Sequence, residues 1–473
     1  MSLSVFFDFH VHSTLKPFLL SAVDSPWEDY DVATPEERVR RTPRLTASDF
    51  TKLLRSGTRV ITLALHPIER YLLTSVVTRP VMYALIFRMR LERMRQVLQR
   101  SPFLLLQQEY QLLLAYLRNP GAEGEAIIVQ RPEDIDQALA NPKKIAIILS
   151  IEGAHALGFE YRHYTFPKIR GFTYDGFAEL SRGLIRTRLD WAAARHMHMI
   201  TLVHMVYNDL ATPARAVEFK GLQNILPNPY RTVERLGRYR GLTAYGVNFV
   251  EEAYKRHILI DVKHCDHVSR RQVYEIAHEY KMPVVASHVG VSGRSYASLR
   301  DTARERRQST TFNPWDINLH DEDILSIARS GGLIGLIMDE RVLAGEKLLE
   351  EVRRGTYPPL LPLTQHIEYI YTLLTRSGFS PQAAIRVICI GSDFDGFIDP
   401  IDAVPTVLEY PSVLYPGLVS YFQGRRDLYR DTGLSAEELA AAICSENGIR
   451  FWKAFLRRKV EAMQRQVQPL AEH

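Results

Sequence analysis

Short runs rich in Val, Ile and Leu recur along this chain of 473 residues, and a longer stretch with helical periodicity follows each one. Continuous apolar strands that alternate with helices are typical of a parallel sheet covered on both faces. Eight such units predict an α/β fold, a (β/α)₈ TIM-type barrel, with a doubly wound sheet as the main competitor. The predicted strands are Val5–His12, Arg59–Leu65, Ile145–Glu152, Ile200–His204, Ile258–His264, Pro283–His288, Leu333–Met338 and Val387–Asp393.

Several helices and two long loops can be placed around these strands. Apolar residues at three- and four-residue spacing predict helices at Arg88–Arg100 and Gln107–Leu117. Pro132 and Ser435, each followed by acidic residues, are typical of helix starts. The polar segments 13–46 and 293–316 are interpreted as loops over the C-terminal face of the barrel, or as disordered segments. We expect one domain over residues 1–473, elaborated at about 13–46 and 66–140, with a C-terminal helical segment at about 430–465.

Six of the eight predicted strands end in metal-type side chains, four of them in His and two in a carboxylate. The C-terminal strand ends of a (β/α)₈ barrel converge on one mouth, where the active site lies. Converging imidazoles and carboxylates are costly to bury unless they bind metal or each other. Their mixture suits Zn²⁺, and their number exceeds what one tetrahedral ion needs, which favours two metals. The residues are His10, His12, Glu152, His204, His264, His288 and Asp393.

Composition excludes some classes of protein. The net charge of +5 is small for this length, and no run of five basic residues occurs, which gives no support to nucleic-acid binding. The three cysteines, Cys265, Cys389 and Cys444, form no paired motif, which favours a reducing compartment. Neither a signal-peptide pattern nor an uncharged run of about 18 residues is present. We therefore expect a soluble, cytoplasmic protein with no membrane span.

Six motifs in order carry a family resemblance. They are His10-x-His12, Ile151-Glu-Gly-Ala-His155, Thr201-Leu-Val-His204, Ile260-Asp-Val-Lys-His264, Ser287-His288 and Gly391-Ser-Asp-Phe-Asp-Gly396. Together they resemble the membrane (renal) dipeptidase family of the metal-dependent amidohydrolase superfamily of (β/α)₈ barrels. The similarity extends nearly to the end of the chain, through Glu446–Arg450.

The resemblance implies a zinc-dependent dipeptidase with two divalent metal ions, a metal-bridging hydroxide and Asp393 as general base. Glu152 would bridge both metals, His10 and His12 would hold the first with Asp393, and His264 and His288 would hold the second. His204 would contact the substrate carbonyl. The expected partner is a small dipeptide or related amide, and homodimers are common in the family.

Two departures from the family pattern bear on the substrate. His12 stands where the family usually has Asp, and Ile317 aligns where an arginine binds the substrate carboxylate. Arg294 or Arg300 could replace that arginine from within the loop. The departures leave open an amidohydrolase for another small amide, such as an N-acyl amino acid. A catalytically silent binding protein is the third alternative, and the retained ligand types speak against it.

Overall fold

The computed structural model describes residues 3–19, 24–29, 46–69, 91–121, 123–160, 180–214, 241–298 and 308–467. Nine strands alternate with helices in these ranges, and all strand pairs are parallel. The strands are β1 (Phe6–Val11), β2 (Thr58–Leu65), β3 (Glu125–Ile128), β4 (Lys144–Glu152), β5 (Met197–Thr201), β6 (Leu259–Asp261), β7 (Ala286–Val289), β8 (Ile334–Leu336) and β9 (Ile388–Ile390).

The strands form two neighbouring parallel sheets. One has the order β1-β2-β4-β5-β6, with β3 paired to the first residues of β4, and the other has the order β7-β8-β9. Single parallel bridges connect the two sheets at both sides, Asp261 with Val285 and Val11 with Phe394. The architecture is a curved parallel sheet of half-barrel form, consistent with the predicted TIM-type fold.

Helices lie between most consecutive strands, as a parallel sheet requires. Ser101, Asp266 and Ser380 each accept a hydrogen bond from a backbone amide in the first turn of the helix that follows. The described α-helices are Leu15–Leu19, Phe50–Ser56, Leu91–Gln99, Pro102–Arg118, Pro132–Ala140, Arg182–Ala193, Ala244–Lys255, His267–Tyr280, Asp321–Arg329, Glu340–Leu343, Glu346–Arg353, Leu361–Arg376, Pro381–Arg386, Tyr415–Gly424, Arg426–Tyr429, Ala436–Ala441 and Asn447–Val467.

The hydrophobic core is continuous from β1 to the C-terminal helix. All six residues of β1 are buried, with Phe7, Phe9 and Val11 on one face and Phe6, Asp8 and His10 on the other. A Cβ at Gly448 would lie 2.1 Å from the Phe7 ring, so glycine is needed for this close approach. In the same helix, Trp452 Nε1 donates to Thr62 Oγ1 at 3.1 Å. The C-terminal helix thus covers the outer face of β1 and β2.

The buried carboxylate of Asp8 joins the first strand to the last. It accepts hydrogen bonds from the Ser392 amide at 2.8 Å and the Tyr410 hydroxyl at 2.7 Å. The Asp393 amide in turn donates to the His10 carbonyl at 2.9 Å. These bonds place the ends of β1 and β9 side by side, although they lie at opposite ends of the chain.

Each of the eight predicted strands overlaps an observed one, while β3 was not predicted. The fourth is displaced, since the strand covers Met197–Thr201 and ends before His204. The predicted helices are present, although residues 88–90 of the first lie outside the described residues. The predicted loop 13–46 is wrong at Leu15–Leu19, which is helical, and residues 20–23 and 30–45 lie outside the described residues. The single-domain division stays a prediction.

Candidate metal centre

The Glu152 side chain, at the end of β4, lies at the centre of a group of imidazoles. Its side chain is 3% exposed, so the charge is almost fully removed from water. Six histidine rings each place a nitrogen within 3.9 Å of one of its two oxygens, and they come from the ends of several different strands. They are His10, His12, His66, His204, His264 and His288.

The first predicted metal site joins β1 to the turn after β9. The Nε2 atoms of His10 and His12 lie 3.1 Å apart, as expected for residues i and i+2 on one face of a strand. His12 Nε2 lies 3.2 Å from Glu152 Oε2 and 3.3 Å from Asp393 Oδ1. His10, His12 and Asp393 therefore present three donor atoms to one small volume.

The second predicted metal site joins the ends of β6 and β7. The Nε2 atoms of His264 and His288 lie 3.2 Å apart and within 3.3 Å of Glu152 Oε1. His264 has a backbone φ of 64°, a left-handed conformation that is uncommon outside glycine. Asp393 shares this conformation, with a φ of 63°. Such strain costs about 1–3 kcal/mol per residue and concentrates at functional sites.

A hydrogen-bonded chain fixes the ring of His288. Ser287 Oγ donates to Asp261 Oδ2 at 2.6 Å and lies 2.7 Å from His288 Nδ1. Since the hydroxyl proton is used by Asp261, Oγ accepts from Nδ1–H, and Nε2 carries the lone pair. The lone pair on Nε2 is thus directed at Glu152. His288 can therefore bind a metal through Nε2 while Ser287 holds its Nδ1 in place.

The pKa values of the histidines and of Asp393 indicate that this pocket can bind a cation. Burial alone lowers the pKa of His12, but the Glu152 and Asp393 carboxylates outweigh it and raise the pKa to about 10. Burial raises the pKa of Asp393 to about 6, with His12 opposing the shift. Burial also lowers the pKa of His10 and His288 well below the ordinary value, so these rings are neutral. Neutral imidazole nitrogens and carboxylates within bonding reach of one another are the donors that Zn²⁺ and similar ions take.

The other sequence-predicted residues are placed as follows. His204 lies just beyond β5, with Nε2 3.9 Å from Glu152 Oε1 and Nδ1 2.7 Å from Glu69 Oε1. Arg294 lies in the loop after β7, where its carbonyl accepts from the Asp321 amide, and its role in substrate binding stays a prediction. Arg300, its alternative, lies outside the described residues.

Three polar residues of the sequence motifs make structural contacts. His155 Nε2 is 2.7 Å from the Pro67 carbonyl oxygen. Asp261 accepts from Thr201 and Ser287 rather than facing the cluster as a ligand. Asp395 accepts from the Ala47 and Ser48 amides and pairs with Lys16 at 2.9 Å, so it fastens the segment before Phe50–Ser56 to the turn after β9.

Sequence reasoning missed three polar residues of the centre. His66 follows β2 directly, and Glu69 lies three residues further on. His66 would have been found if the residue just after each predicted strand had also been considered as a ligand. Lys263 lies within the Asp261-Val-Lys-His264 motif, is 1% exposed, and its Nζ has no hydrogen-bond partner among the described residues. Burial lowers the pKa of Lys263 to about 8, against the opposing effect of Asp393 and Glu152.

Imidazoles and carboxylates gathered at the ends of parallel strands are the ligand types and the placement typical of metal-dependent α/β hydrolases. A family model described as membrane dipeptidase, peptidase family M19, matches residues 172–464. The chain belongs to this membrane dipeptidase family and is a metal-dependent dipeptidase. No helix in the described part of the chain is long and apolar enough to cross a membrane.

Solved structures share the fold of this chain. A metallopeptidase from Rhodobacter sphaeroides, liganded with a phosphinate mimic of the dipeptide L-Ala-D-Ala, is 16% identical with a TM-score of 0.57, covering 97% of this chain and 100% of its own. The probable dipeptidase PvdM from Pseudomonas aeruginosa is 18% identical with a TM-score of 0.55, covering 96% of each chain. At these identities the similarity establishes the fold alone.

The Asp261–Ser287–His288 chain generates a prediction. Ser287→Ala removes the acceptor that holds Nδ1–H of His288, so we expect metal affinity to fall by about 10- to 100-fold. Competition with a chelator of known affinity measures this change. Thr201→Val is the matched control, because it removes the other hydroxyl bond to Asp261, 2.7 Å long, and leaves Ser287 and His288 in contact. Equal affinities in both variants and the wild type would contradict the role assigned to Ser287.

Proposed function

We propose that this enzyme hydrolyses small dipeptides with a free carboxylate at a binuclear zinc centre in the mouth of one eight-stranded barrel. The observation that carries the proposal is the position of Glu152: its Oε2 lies 3.2 Å from His12 Nε2, and its Oε1 lies 3.2 and 3.3 Å from the Nε2 atoms of His264 and His288. His10 Nε2 lies between the two groups, 3.7 Å from Oε1. A carboxylate in that position can bridge two cations. His10, His12 and Asp393 would hold the first ion, and His264 and His288 the second.

The metals, when bound, supply Lewis acidity and lower the pKa of water. The protein supplies the proton transfers. Asp393 is buried, and burial raises its pKa to about 6, so it is ionised at neutral pH yet basic enough to take a proton. It can then return the proton to the leaving amine. His204 would donate to the substrate carbonyl oxygen, since Glu69 holds its Nδ1 and leaves Nε2 facing the centre.

The charge of the centre favours an anionic substrate. A bound cation would displace the proton from His12 and leave a neutral imidazole there, so two divalent ions would outnumber the charges of Glu152 and Asp393. The buried ammonium of Lys263 adds a further positive charge, because pH 7 is below the Lys263 pKa of about 8. Opposite charges attract strongly in a pocket that excludes water. These charges could take over part of the attraction that the family's arginine provides.

An amidohydrolase acting on another small amide, such as an N-acyl amino acid, is the second candidate. The observation that favours it is the pair of departures at His12 and Ile317. The homodimer and the cytoplasmic location stay predictions.

We expect about two divalent ions per chain. Elemental analysis of protein purified without chelators measures the stoichiometry, and dialysis against a chelator should abolish turnover until Zn²⁺ or Mn²⁺ is returned. Less than about half an equivalent, with no gain of activity on adding either ion, would contradict the binuclear centre.

Asp393→Asn should remove most of the turnover while the fold is kept, since an amide cannot take a proton. The expected loss in kcat is about 10²- to 10⁴-fold, and circular dichroism checks the fold. Asp395→Asn is the control, a neighbouring buried carboxylate whose bonds go to Ala47, Ser48 and Lys16. Asp395→Asn should lower the melting temperature and leave kcat nearly unchanged. An Asp393→Asn enzyme with more than about a tenth of the wild-type rate would exclude Asp393 as the base.

A dipeptide and its C-terminal amide separate the two candidate functions. L-Xaa–D-Xaa and L-Xaa–L-Xaa dipeptides are the first substrates to compare. Loss of the carboxylate should lower kcat/KM by at least about tenfold, or about 1.4 kcal/mol.

His12→Asp is the second arm of that comparison. This substitution makes the centre one charge less positive. It should therefore reduce the difference in kcat/KM between the dipeptide and its C-terminal amide, and the variant should still bind metal. Equal wild-type rates on acid and amide would exclude the preference for a free carboxylate and favour the general amidohydrolase.

A further inference from the structure

A second group of donor atoms lies beside Glu152 and is not used by the binuclear centre. It consists of His66 and Glu69, which follow β2, and His204, which follows β5. Its ligand atoms all lie within 4.8 Å of one another. Glu69 Oε1 is 2.7 Å from His204 Nδ1, and Glu69 Oε2 is 3.7 Å from His66 Nε2. We call these three residues the β2–β5 cluster.

The tautomer of His66 follows from its other nitrogen. His66 Nδ1 lies 3.0 Å from the backbone carbonyl oxygen of Glu152, which can only accept a hydrogen bond. Nδ1 therefore carries the proton, and in the neutral ring Nε2 carries a lone pair. This lone pair is directed towards Glu69 rather than towards the binuclear centre.

Glu69 presents a second lone pair to the same space. Its side chain is 5% exposed, and Oε2 has no hydrogen-bond partner among the described residues. Two acceptors thus face each other across 3.7 Å in a place from which water is largely removed. Buried polar atoms are normally satisfied, and an unsatisfied carboxylate oxygen is expensive. A cation between His66 Nε2 and Glu69 Oε2 would satisfy both acceptors.

The donor set and its spacing suit a transition-metal ion. Two imidazoles and one carboxylate are the protein ligands of many catalytic zinc sites. Bonds of about 2.0–2.2 Å at a near-tetrahedral angle place two ligand atoms about 3.4 Å apart. The 3.7 Å between His66 Nε2 and Glu69 Oε2 is close to that value. His204 Nδ1 completes the set by giving up the proton it now shares with Glu69.

We propose that His66, Glu69 and His204 form a third metal-binding site, which takes a first-row divalent ion such as Zn²⁺ beside the binuclear centre. Since the two other cations lie close by and like charges repel, the third ion binds more weakly than the first two. An ion on Nδ1 of His204 leaves the remaining ring proton on Nε2, which faces Glu152 at 3.9 Å. Occupation of this site therefore fixes His204 as a hydrogen-bond donor towards the pocket.

Zinc binding by the full-length enzyme tests this site. Wild-type protein is equilibrated with increasing free Zn²⁺ in a metal buffer, and bound zinc is measured by elemental analysis. We expect about two equivalents to bind first and about one more at higher free Zn²⁺. Glu69→Gln and His66→Gln should each stop at about two. His198→Gln is the matched control, a buried imidazole whose Nε2 lies 2.9 Å from the Val129 carbonyl oxygen, and it should bind all three.

Two results would overturn the third site. One is a wild-type enzyme that saturates at about two equivalents, and the other is a third equivalent retained in both Glu69→Gln and His66→Gln. The two variants remove different ligands, so if one of them fails to fold, the other still tests the site. Failure of the binuclear centre would be seen separately, as loss of the two tightly bound equivalents or of dipeptide hydrolysis in the wild type.

Discussion

The structure depends on one buried carboxylate, that of Glu152. Six imidazoles lie around it. An ionised group with 3% exposure is tolerated only where positive charges or hydrogen-bond donors surround it; burial raises the pKa of Glu152, but His204 and His12 outweigh burial and hold this pKa well below its ordinary value. The rings come from the ends of strands distributed around both sheets, so the register of each strand decides whether its histidine reaches the centre. The surrounding hydrogen bonds support this register: Asp8 holds the first strand against the last, and Asp261 holds β5, β6 and β7 together. The hydrogen bonds that fix the strands therefore also place the histidines around Glu152.

Much of this arrangement can be predicted from the sequence because buried parallel strands leave a strong signal. Runs such as Lys144–Glu152 are apolar on both faces, and their ends are marked by the polar residue that follows. The short strand β3 was missed because Glu125 is exposed and only Ala126 is fully buried, which leaves no continuous apolar run. His66 was missed because β2 ends at Leu65, in the prediction as in the structure, and the residue just beyond that end was not considered as a ligand. Glu69 and Lys263 could not be predicted, since their contacts depend on how separate strand ends are oriented towards each other.

The charges of the centre are unevenly placed. His12 brings no negative charge to the first predicted site, and the buried ammonium of Lys263 lies close enough to interact with Asp393 and Glu152. Glu69 returns a negative charge on the opposite side, next to His204. The pocket is thus polarised, with its excess positive charge towards β1, β6 and β9 and a carboxylate towards β2. A substrate with one anionic and one cationic end would be oriented by this field before any specific contact forms.

The pairing of the first strand with the last also sets an order of events during synthesis. Asp393 reaches His10 only through bonds between the two ends of the chain, whereas Glu152, His264 and His288 are made earlier. Ribosomes add about 5–20 residues per second, so β1 waits on the order of tens of seconds for the strand beside it. Once His288 has been made, the nascent chain carries the donors of the second proposed site but still lacks Asp393, a ligand of the first. In the proposed centre, metal capture would then be sequential and would be completed only after the last strand has left the ribosome.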